Sequence, residues 1–275
     1  MIFADSHTHT CFSFDGDPDT TPVLSCERAA QIGLTDLAIT DHLDINGSVE
    51  GYEPYADGPA AAAVLEAKEQ YRGRLHVALG LELGQATQYP EKSRAALAKH
   101  PYEFVLGSLH NLRMAPDFCY FRFEHPDFGP ALIQHYFSRV LDETLELIDF
   151  PGIHSLAHLT YMHRYVRRAG KDIDFSPFRD RLELLFTRMA ERGIALELNM
   201  SNYRRGIPLP MPTQELFRLY RACKGELVTV GSDAHTAGDI AANVLDGYRF
   251  LSEIGYSCVT VFRDGKPFTD KMKFI

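Results

Sequence analysis

The chain is poor in cysteine and in long apolar runs. It has five cysteines among 275 residues, an odd number, and none of them forms a CxxC pair. This argues against a disulfide framework and against a cysteine zinc knuckle. The opening residues MIFADSHTHT contain neither a basic stretch nor a long apolar run. We therefore expect no signal peptide and no membrane span, and we expect the protein to work in the reducing cytoplasm.

Positive charge is also scarce. Lysine and arginine number 28 against 37 aspartates and glutamates, which gives a formal net charge of -9. Sequence-independent binding of nucleic acid needs a basic face, so this balance argues against nucleic acid as a partner. A small anionic substrate is still compatible, because bound divalent cations can reverse the charge of a site. The sequence leaves the oligomeric state open.

What the chain does contain is an alternation of short apolar runs with amphipathic stretches, without a repeat or an interdomain linker. The predicted strands cover residues 2–6, 36–40, 76–83, 104–109, 152–157, 195–199, 227–231 and 258–262. The predicted helices cover residues 21–33, 60–71, 91–99, 129–148, 177–192, 213–223 and 238–254. Such alternation predicts an α/β fold with a mainly parallel sheet in one domain over residues 1–275. A TIM-like β/α barrel is the favoured architecture, and an open doubly wound sheet is the alternative.

Histidine and acidic residues recur where the predicted strands end. In chain order they are His7, His9, Asp15, His42, Glu82, His110, His158, Asp233 and His235. Because the carboxyl ends of barrel strands converge on one face, we expect these side chains to meet. His7 and His9 are two residues apart on a strand, so both point to the same side and can hold one ion together.

These residues offer imidazole and carboxylate ligands and no thiolate. That set suits zinc, iron or manganese better than magnesium or calcium. The number of ligands exceeds the needs of one tetrahedral ion, which predicts two or three divalent ions. The remaining histidines fit no strand end and are interpreted as structural: His76, His100, His125, His135, His154 and His163. No predicted strand end carries a lysine, which argues against a single-metal amidohydrolase-like barrel.

Three motifs resemble the polymerase and histidinol phosphatase (PHP) superfamily. They are DSHTHT at 5–10, ITDH at 39–42 and GSDAH at 231–235, with the isolated Glu82, His110 and His158 between them. Three longer segments are similar to the corresponding segments of the stand-alone histidinol-phosphate phosphatases of the HisJ and HisK type. They are FVLGSLHNL, IALELNMSNYRRG and VTVGSDAHTAGDI. The resemblance implies a distorted seven-stranded barrel, a (β/α)7 variant of the TIM fold, with a trinuclear metal site.

Carried over by position, the resemblance implies three ligand sets, and the first two of them share Glu82 as a bridge. They are His7, His9, Glu82 and Asp233; Glu82, His110 and His158; and Asp15, His42 and His235. Two departures bear on this transfer. Some relatives have histidine in place of Asp15, and the motif around His158 reads AHLTYMHR where a GHPD-like sequence is common.

The predicted reaction is hydrolysis of a phosphate monoester, with L-histidinol phosphate, an intermediate of histidine biosynthesis, as the leading substrate. Bridged ions can activate a water molecule for attack on phosphorus, so no serine or cysteine nucleophile is needed. Glu82, Asp233 and His235 are the predicted catalytic residues, and either Asp233 or His235 would move a proton. The alternatives are a PHP enzyme that acts on a nucleotide or an oligonucleotide end, and a non-catalytic PHP interaction module.

The substrate needs partners for its phosphate and for its cationic part. The planar fork of arginine matches two phosphate oxygens, and the candidates are Arg164, Arg204 and Arg205. Two long polar connections, 44–59 and 113–130, are candidate lids or binding loops. As a hypothesis, carboxylates of the first loop bind the amine of histidinol phosphate: Asp44, Glu50, Glu53 and Asp57.

Overall fold

The structure is a computed structural model that describes residues 1–47 and 55–274. The strands are β1 (Ala4–Thr8), β2 (Asp36–Ile39), β3 (His42–Asp44), β4 (His76–Gly84), β5 (Phe104–Ser108), β6 (Ser155–Leu156), β7 (Ala195–Asn199), β8 (Val228–Gly231), β9 (Cys258–Arg263) and β10 (Lys266–Lys271). The helices are α1 (Pro22–Ile32), α2 (Asp57–Gln70), α3 (Pro90–Leu97), α4 (Pro130–Asp149), α5 (Tyr161–Arg168), α6 (Arg179–Arg192), α7 (Ser201–Arg204), α8 (Gln214–Ala222) and α9 (Val244–Ile254).

The strands form a parallel sheet in the order β1-β2-β4-β5-β6-β7-β8, and β3 pairs with the second half of β4. Main-chain hydrogen bonds connect the two outer strands of this order at their carboxyl ends. The N–H of His9 donates to the carbonyl of Ala234, and the N–H of Asp233 donates to the carbonyl of His7, each over 2.8 Å. The sheet therefore closes on itself, which confirms the predicted distorted β/α barrel and excludes the open doubly wound sheet.

The first helix shows how local sequence sets an element. The side-chain oxygen of Thr21 accepts a hydrogen bond from the N–H of Leu24, Pro22 occupies the first turn, and Gly33 ends the helix with a φ of 86°. A left-handed residue at this point favours glycine, and proline lacks only an N–H that the first turn leaves unpaired. The prediction of a helix over 21–33 is confirmed.

The predicted strand over 258–262 is confirmed as a strand, but it lies outside the barrel sheet. As β9 it pairs antiparallel with β10 in a separate two-stranded hairpin. Asp264 and Gly265 join the two strands with φ values of 50° and 72°. Two such left-handed residues form the tight turn that favours hairpins, so the chain reverses here and does not cross over to a parallel strand.

The hairpin covers the amino-terminal end of the barrel. Phe262 of β9 stacks on Phe104 of β5, with the ring centroids 5.1 Å apart, and both side chains are buried. The guanidinium of Arg263 donates two hydrogen bonds to Asp36 at the start of β2. The amino-terminal end is thus filled by aromatic and small side chains, and the carboxyl end is left for polar groups.

Within the described residues no helix is both long enough and apolar enough to cross a membrane. The predictions also missed the hairpin strand β10 and three further short elements, β3, α5 and α7. The latter three lie next to the carboxyl end of the barrel, where functional side chains interrupt the apolar pattern. The candidate lid 113–130 is described in full, and residues 48–54 of the other candidate lid lie outside the described part of the chain.

Candidate metal centre

All nine predicted ligands lie at the carboxyl end of the barrel. Eight of them contribute donor atoms to groups of three whose members lie within 4.8 Å of one another. The groups are His7, His9 and Asp233; His9, His42 and His235; His7, Glu82 and His158; and His42, Glu82 and His110. None of the groups formed by described residues includes the histidines interpreted as structural: His76, His100, His125, His135, His154 and His163.

Glu82, which is fully buried near the end of β4, lies at the centre. Its Oε1 is 3.0 Å from Nε2 of His110 and 2.9 Å from Nε2 of His158. Its Oε2 is 3.1 Å from Nε2 of His7 and 2.9 Å from Nδ1 of His42. Each carboxylate oxygen therefore faces a different set of imidazoles, as in a carboxylate that bridges two ions.

Asp233 and Asp15 extend the centre to the other side. Oδ1 of Asp233 lies 3.5 Å from Nε2 of His9 and 3.6 Å from Nδ1 of His235. Asp15 completes no group of three, but its Oδ2 is 2.9 Å from Nε2 of His235 and its Oδ1 is 3.7 Å from Nε2 of His42. Asp15 is also the most exposed of these side chains, at 37%.

The spacing of the donor atoms fits divalent ions. Two ligands about 2.1 Å from a tetrahedral zinc ion lie about 3.3 Å apart. The separations between carboxylate oxygens and imidazole nitrogens here range from 2.9 Å to 4.0 Å. Nε2 of His9 is buried without a hydrogen-bond partner among the described residues, although it faces Asp233 and Glu82. An unpaired buried nitrogen beside two carboxylates is the arrangement expected of a metal ligand.

Charge coupling within the centre is strong. Burial alone would raise the pKa of Glu82, but the imidazoles of His42 and His7 hold it well below its usual range. Burial would lower the pKa of His42, but Glu82 and Asp15 raise it to about 9. Burial, together with His42 and His235, lowers the pKa of His9 to about 3. Without metal, protons on some imidazoles thus balance the ionised carboxylates.

The outer ring nitrogens of several histidines are held by further side chains. Nδ1–H of His7 donates to Oε1 of Glu197 over 2.6 Å, and Nδ1 of His110 lies 3.1 Å from Oδ1 of Asp44. Such contacts leave Nε2 facing the centre and fix the tautomer of the ring. The sequence interpretation assigned neither carboxylate this role. In the sequence, the feature that could have pointed to Glu197 is that it is the one carboxylate in the predicted strand ALELN.

A cavity of about 250 Å³ opens over the centre. Besides several predicted ligands it is lined by Asp117, Tyr161, Arg164 and Arg205. Asp117 is buried, and its Oδ1 accepts hydrogen bonds from the N–H of Cys119 over 2.7 Å and from the hydroxyl of Tyr161 over 3.3 Å. No motif marked Asp117, although it belongs to the candidate lid 113–130.

The three candidate arginines differ in what they contact. Arg164 is buried beside the cavity, with its Nη2 3.6 Å from Oδ2 of Asp233. Arg205 also lines the cavity. The guanidinium of Arg204 donates to the carbonyls of Ser232 and Asp233, over 2.7 Å and 2.9 Å. Arg204 is therefore committed to the backbone that carries Asp233, and it is not among the residues that line the cavity.

Two of the four carboxylates proposed to bind the substrate amine, Asp44 and Asp57, lie away from the cavity. Asp44 contacts His110, and Asp57 pairs with Lys99, with Oδ2 2.8 Å from Nζ. Neither lines the cavity. Glu50 and Glu53 lie outside the described residues.

A closed parallel barrel with clustered imidazoles and carboxylates at its carboxyl end defines a metal-binding β/α-barrel protein. The family model of the PHP domain matches residues 5–201, and the chain belongs to the PHP family. The match contains seven of the nine predicted ligands and ends before the other two, Asp233 and His235.

Relatives resemble the chain over most of its length. It is 26% identical to the probable histidinol-phosphatase of Clostridium acetobutylicum over 88% of this chain and 90% of that protein. It is 27% identical to the probable histidinol-phosphatase of Thermotoga maritima over 95% and 96% of the two chains. The fold is similar to the crystal structure of histidinol phosphate phosphatase from Lactococcus lactis complexed with zinc, L-histidinol and phosphate. That comparison has a TM-score of 0.78 and 19% identity over 96% of this chain and 98% of that one.

Proposed function

We propose that this protein is a metal-dependent phosphatase that hydrolyses L-histidinol phosphate to L-histidinol and phosphate in the cytoplasm, as a step of histidine biosynthesis. We further propose that residues 1–275 work as one domain. Both relatives reported above carry the name probable histidinol-phosphatase, and each matches the chain over at least 88% of its length. The observation that carries the proposal is the position of Glu82, whose two oxygens face two different sets of imidazoles.

In this proposal the chain holds three divalent ions of zinc, iron or manganese in three sets of ligands. The sets are His7, His9, Glu82 and Asp233; Glu82, His110 and His158; and Asp15, His42 and His235. Of the donor groups in the structure, His7, His9 and Asp233 lie within the first set, and each of the other three groups joins members of two neighbouring sets. When bound, such ions supply Lewis-acid activation of water and neutralise negative charge on the phosphate.

The cavity supplies positive charge and a proton donor for the rest of the reaction. Arg164 and Arg205 line it, and their guanidinium groups suit the oxygens of a phosphate dianion. His235 and Asp233 also line it, which suits transfer of a proton to the leaving alkoxide. Arg204 is left out of this set, because it does not line the cavity and its guanidinium donates to main-chain carbonyls.

The cationic end of the substrate also has a partner in this cavity. Histidinol phosphate carries an amine and an imidazole, and the buried carboxylate of Asp117 faces the same space as the two arginines. Groups of opposite charge that line one small cavity suit a substrate that has a phosphate at one end and an ammonium group at the other. We propose Asp117 for this contact in place of the carboxylates of residues 44–57.

The test is release of phosphate from a panel of esters by the purified, metal-loaded protein. We expect histidinol phosphate to be hydrolysed with a higher kcat/KM than nucleoside monophosphates, and phosphodiesters to be left intact. Elemental analysis of the same preparation should find divalent metal, and a chelator should abolish turnover. Preference for a nucleotide or for an oligonucleotide end would support the alternative PHP activity. Metal binding without hydrolysis of any ester would support the non-catalytic module.

A further inference from the structure

Glu197 is a buried carboxylate beside the metal centre that belongs to none of the donor groups. It lies in the middle of β7, its side chain is 0% exposed, and no described group of potential metal ligands contains it. A buried carboxylate is unfavourable unless hydrogen bonds satisfy its oxygens. Both oxygens of Glu197 are satisfied, and each contacts a different predicted ligand.

The first contact, between Glu197 and His7, fixes the tautomer of the His7 ring. Nδ1–H of His7 donates to Oε1 of Glu197 over 2.6 Å, which leaves Nε2 of His7 without its proton when the ring is neutral. That nitrogen lies 3.1 Å from Oε2 of Glu82. Glu197 therefore selects the tautomer in which His7 can bind an ion of the first ligand set.

The second contact, between Glu197 and His158, fixes the backbone conformation of His158. The N–H of His158 donates to Oε2 of Glu197 over 2.7 Å. His158 has a φ of 22°, a value that residues other than glycine rarely adopt. In this conformation its Nε2 lies 2.9 Å from Oε1 of Glu82, within the second ligand set. The hydrogen bond to Glu197 thus holds His158 in the unfavourable conformation that directs its ring to the centre.

The neighbouring strand leaves room for this arrangement. A Cβ atom at Gly231 of β8 would lie 2.5 Å from Oε1 of Glu197 and 2.4 Å from Cβ of His7. Only glycine is therefore accommodated beside the pair without a shift. Asn199 adds a link on the same face, because its Nδ2 donates to Oε2 of Glu197 and to Oδ2 of Asp233, each over 3.3 Å.

We propose that Glu197 is a positioning residue that couples the two ions bridged by Glu82. Through His7 it orients the first ligand set, and through His158 it orients the second, while it belongs to neither. The inference rests on the proposed function only in that both sets hold metal. The third set, Asp15, His42 and His235, has no contact with Glu197.

The substitution Glu197→Gln disrupts one of the two contacts directly and, because Glu82 bridges the two ions, should disturb both ligand sets. His7 and His158 both donate N–H groups to Glu197, one to each oxygen, and an amide has only one acceptor oxygen, so its NH₂ group must face one of these two donors. Loss of such an outer partner typically lowers metal affinity about 10–100-fold. We expect zinc affinity at two ions per chain to fall by that factor, with the third ion unchanged. Glu197→Asp retains the charge but is one methylene shorter, so it cannot reach both donors and should show the same two-ion loss.

Competition with a chromophoric chelator measures these affinities, and the visible absorption of the cobalt(II)-substituted protein reports the ligand geometry. The matched control is Glu103→Gln, which removes the charge of another buried glutamate that pairs with Lys68 near the amino-terminal end of the barrel. It should retain the wild-type zinc affinities and cobalt spectrum.

Three outcomes would overturn the inference, and they are distinguishable. If wild-type protein bound no metal, both the positioning role of Glu197 and the proposed function would fail. If wild-type protein bound three ions and both Glu197 variants matched it, only the positioning role would fail. If Glu103→Gln lost as much affinity as Glu197→Gln, the effect would be general destabilisation and not positioning.

Discussion

Oε1 of Glu82 and Nε2 of His158 lie 2.9 Å apart although 76 positions of sequence separate the two residues. The same carboxylate contacts His7 and His42 through its other oxygen. We therefore expect Glu82→Gln, which removes the bridging charge, to lower zinc affinity by more than the roughly 10–100-fold typical of an outer-shell loss. Turnover of histidinol phosphate should fall in parallel. Metal analysis and phosphate release measure the two effects, and normal metal content in the variant would contradict the bridging role.

The adjacent arginines Arg204 and Arg205 should give different phenotypes. Loss of a hydrogen bond to a charged group costs about 1.5–3 kcal/mol, so Arg205→Ala should reduce kcat/KM by about 10–100-fold, mainly through KM, if its guanidinium binds phosphate. Arg204→Ala removes the donors to Ser232 and Asp233 and should lower metal affinity and thermal stability instead. Steady-state kinetics at saturating zinc separate the two variants. Equal KM increases in both would contradict this division.

Asp117 should discriminate between substrates. Asp117→Asn retains the size of the side chain but removes the negative charge that we place opposite the substrate amine. We expect kcat/KM for histidinol phosphate to fall about 10–100-fold, the equivalent of about 1.5–3 kcal/mol. Hydrolysis of glycerol phosphate, which has no amine, serves as the control and should change little. A parallel fall for both esters would show that Asp117 does not recognise the cation.

Metal binding should release protons near neutral pH. Because Glu82 and Asp15 raise the pKa of His42 to about 9 in the metal-free protein, this ring is protonated at neutral pH and must lose its proton before it can ligate an ion. Zinc affinity should therefore weaken as the pH falls. Calorimetry in two buffers of different ionisation enthalpy counts the protons released, and His42→Asn should reduce the count. An unchanged count would contradict the assignment.

The aromatic stack at the amino-terminal end should matter for stability and not for the reaction. Phe262 is buried against Phe104, so Phe262→Ala should lower the free energy of unfolding by about 3–5 kcal/mol. Metal affinity and KM should not change, since the predicted ligands lie at the other end of the barrel. Denaturant titration gives the stability. A large change in metal affinity would show that the two ends of the barrel are coupled.

Much of the fold could be predicted from short apolar runs and helix caps. The bounds of β7 coincide with the predicted 195–199, and those of α1 fall within the predicted 21–33. The run 258–262 was correctly predicted as a strand, but its apolar pattern alone does not distinguish a barrel strand from a hairpin strand. The difference lies in the left-handed turn at Asp264 and Gly265, whose Asp-Gly sequence was the available signal.

The clustering of the predicted ligands could be predicted from the sequence, because they follow the strands and parallel strands bring their carboxyl ends together. The ligand roles themselves stay predictions, as does the single domain. Contacts beyond the strand ends depend on side-chain direction, which the pattern does not encode. Adjacent residues near a helix end point about 100° apart. Arg205 lines the cavity and Arg204 does not for this reason.

The hydrogen bond from Asp233 to the carbonyl of His7 has a consequence for synthesis on the ribosome. The strand that leads to Asp233 is translated more than two hundred residues after His7. Contacts of such long sequence separation form late in folding. A growing polypeptide therefore exposes its first histidines well before it can enclose an ion with them, and loading of the site that His7, His9 and Asp233 share has to follow completion of the last barrel strand.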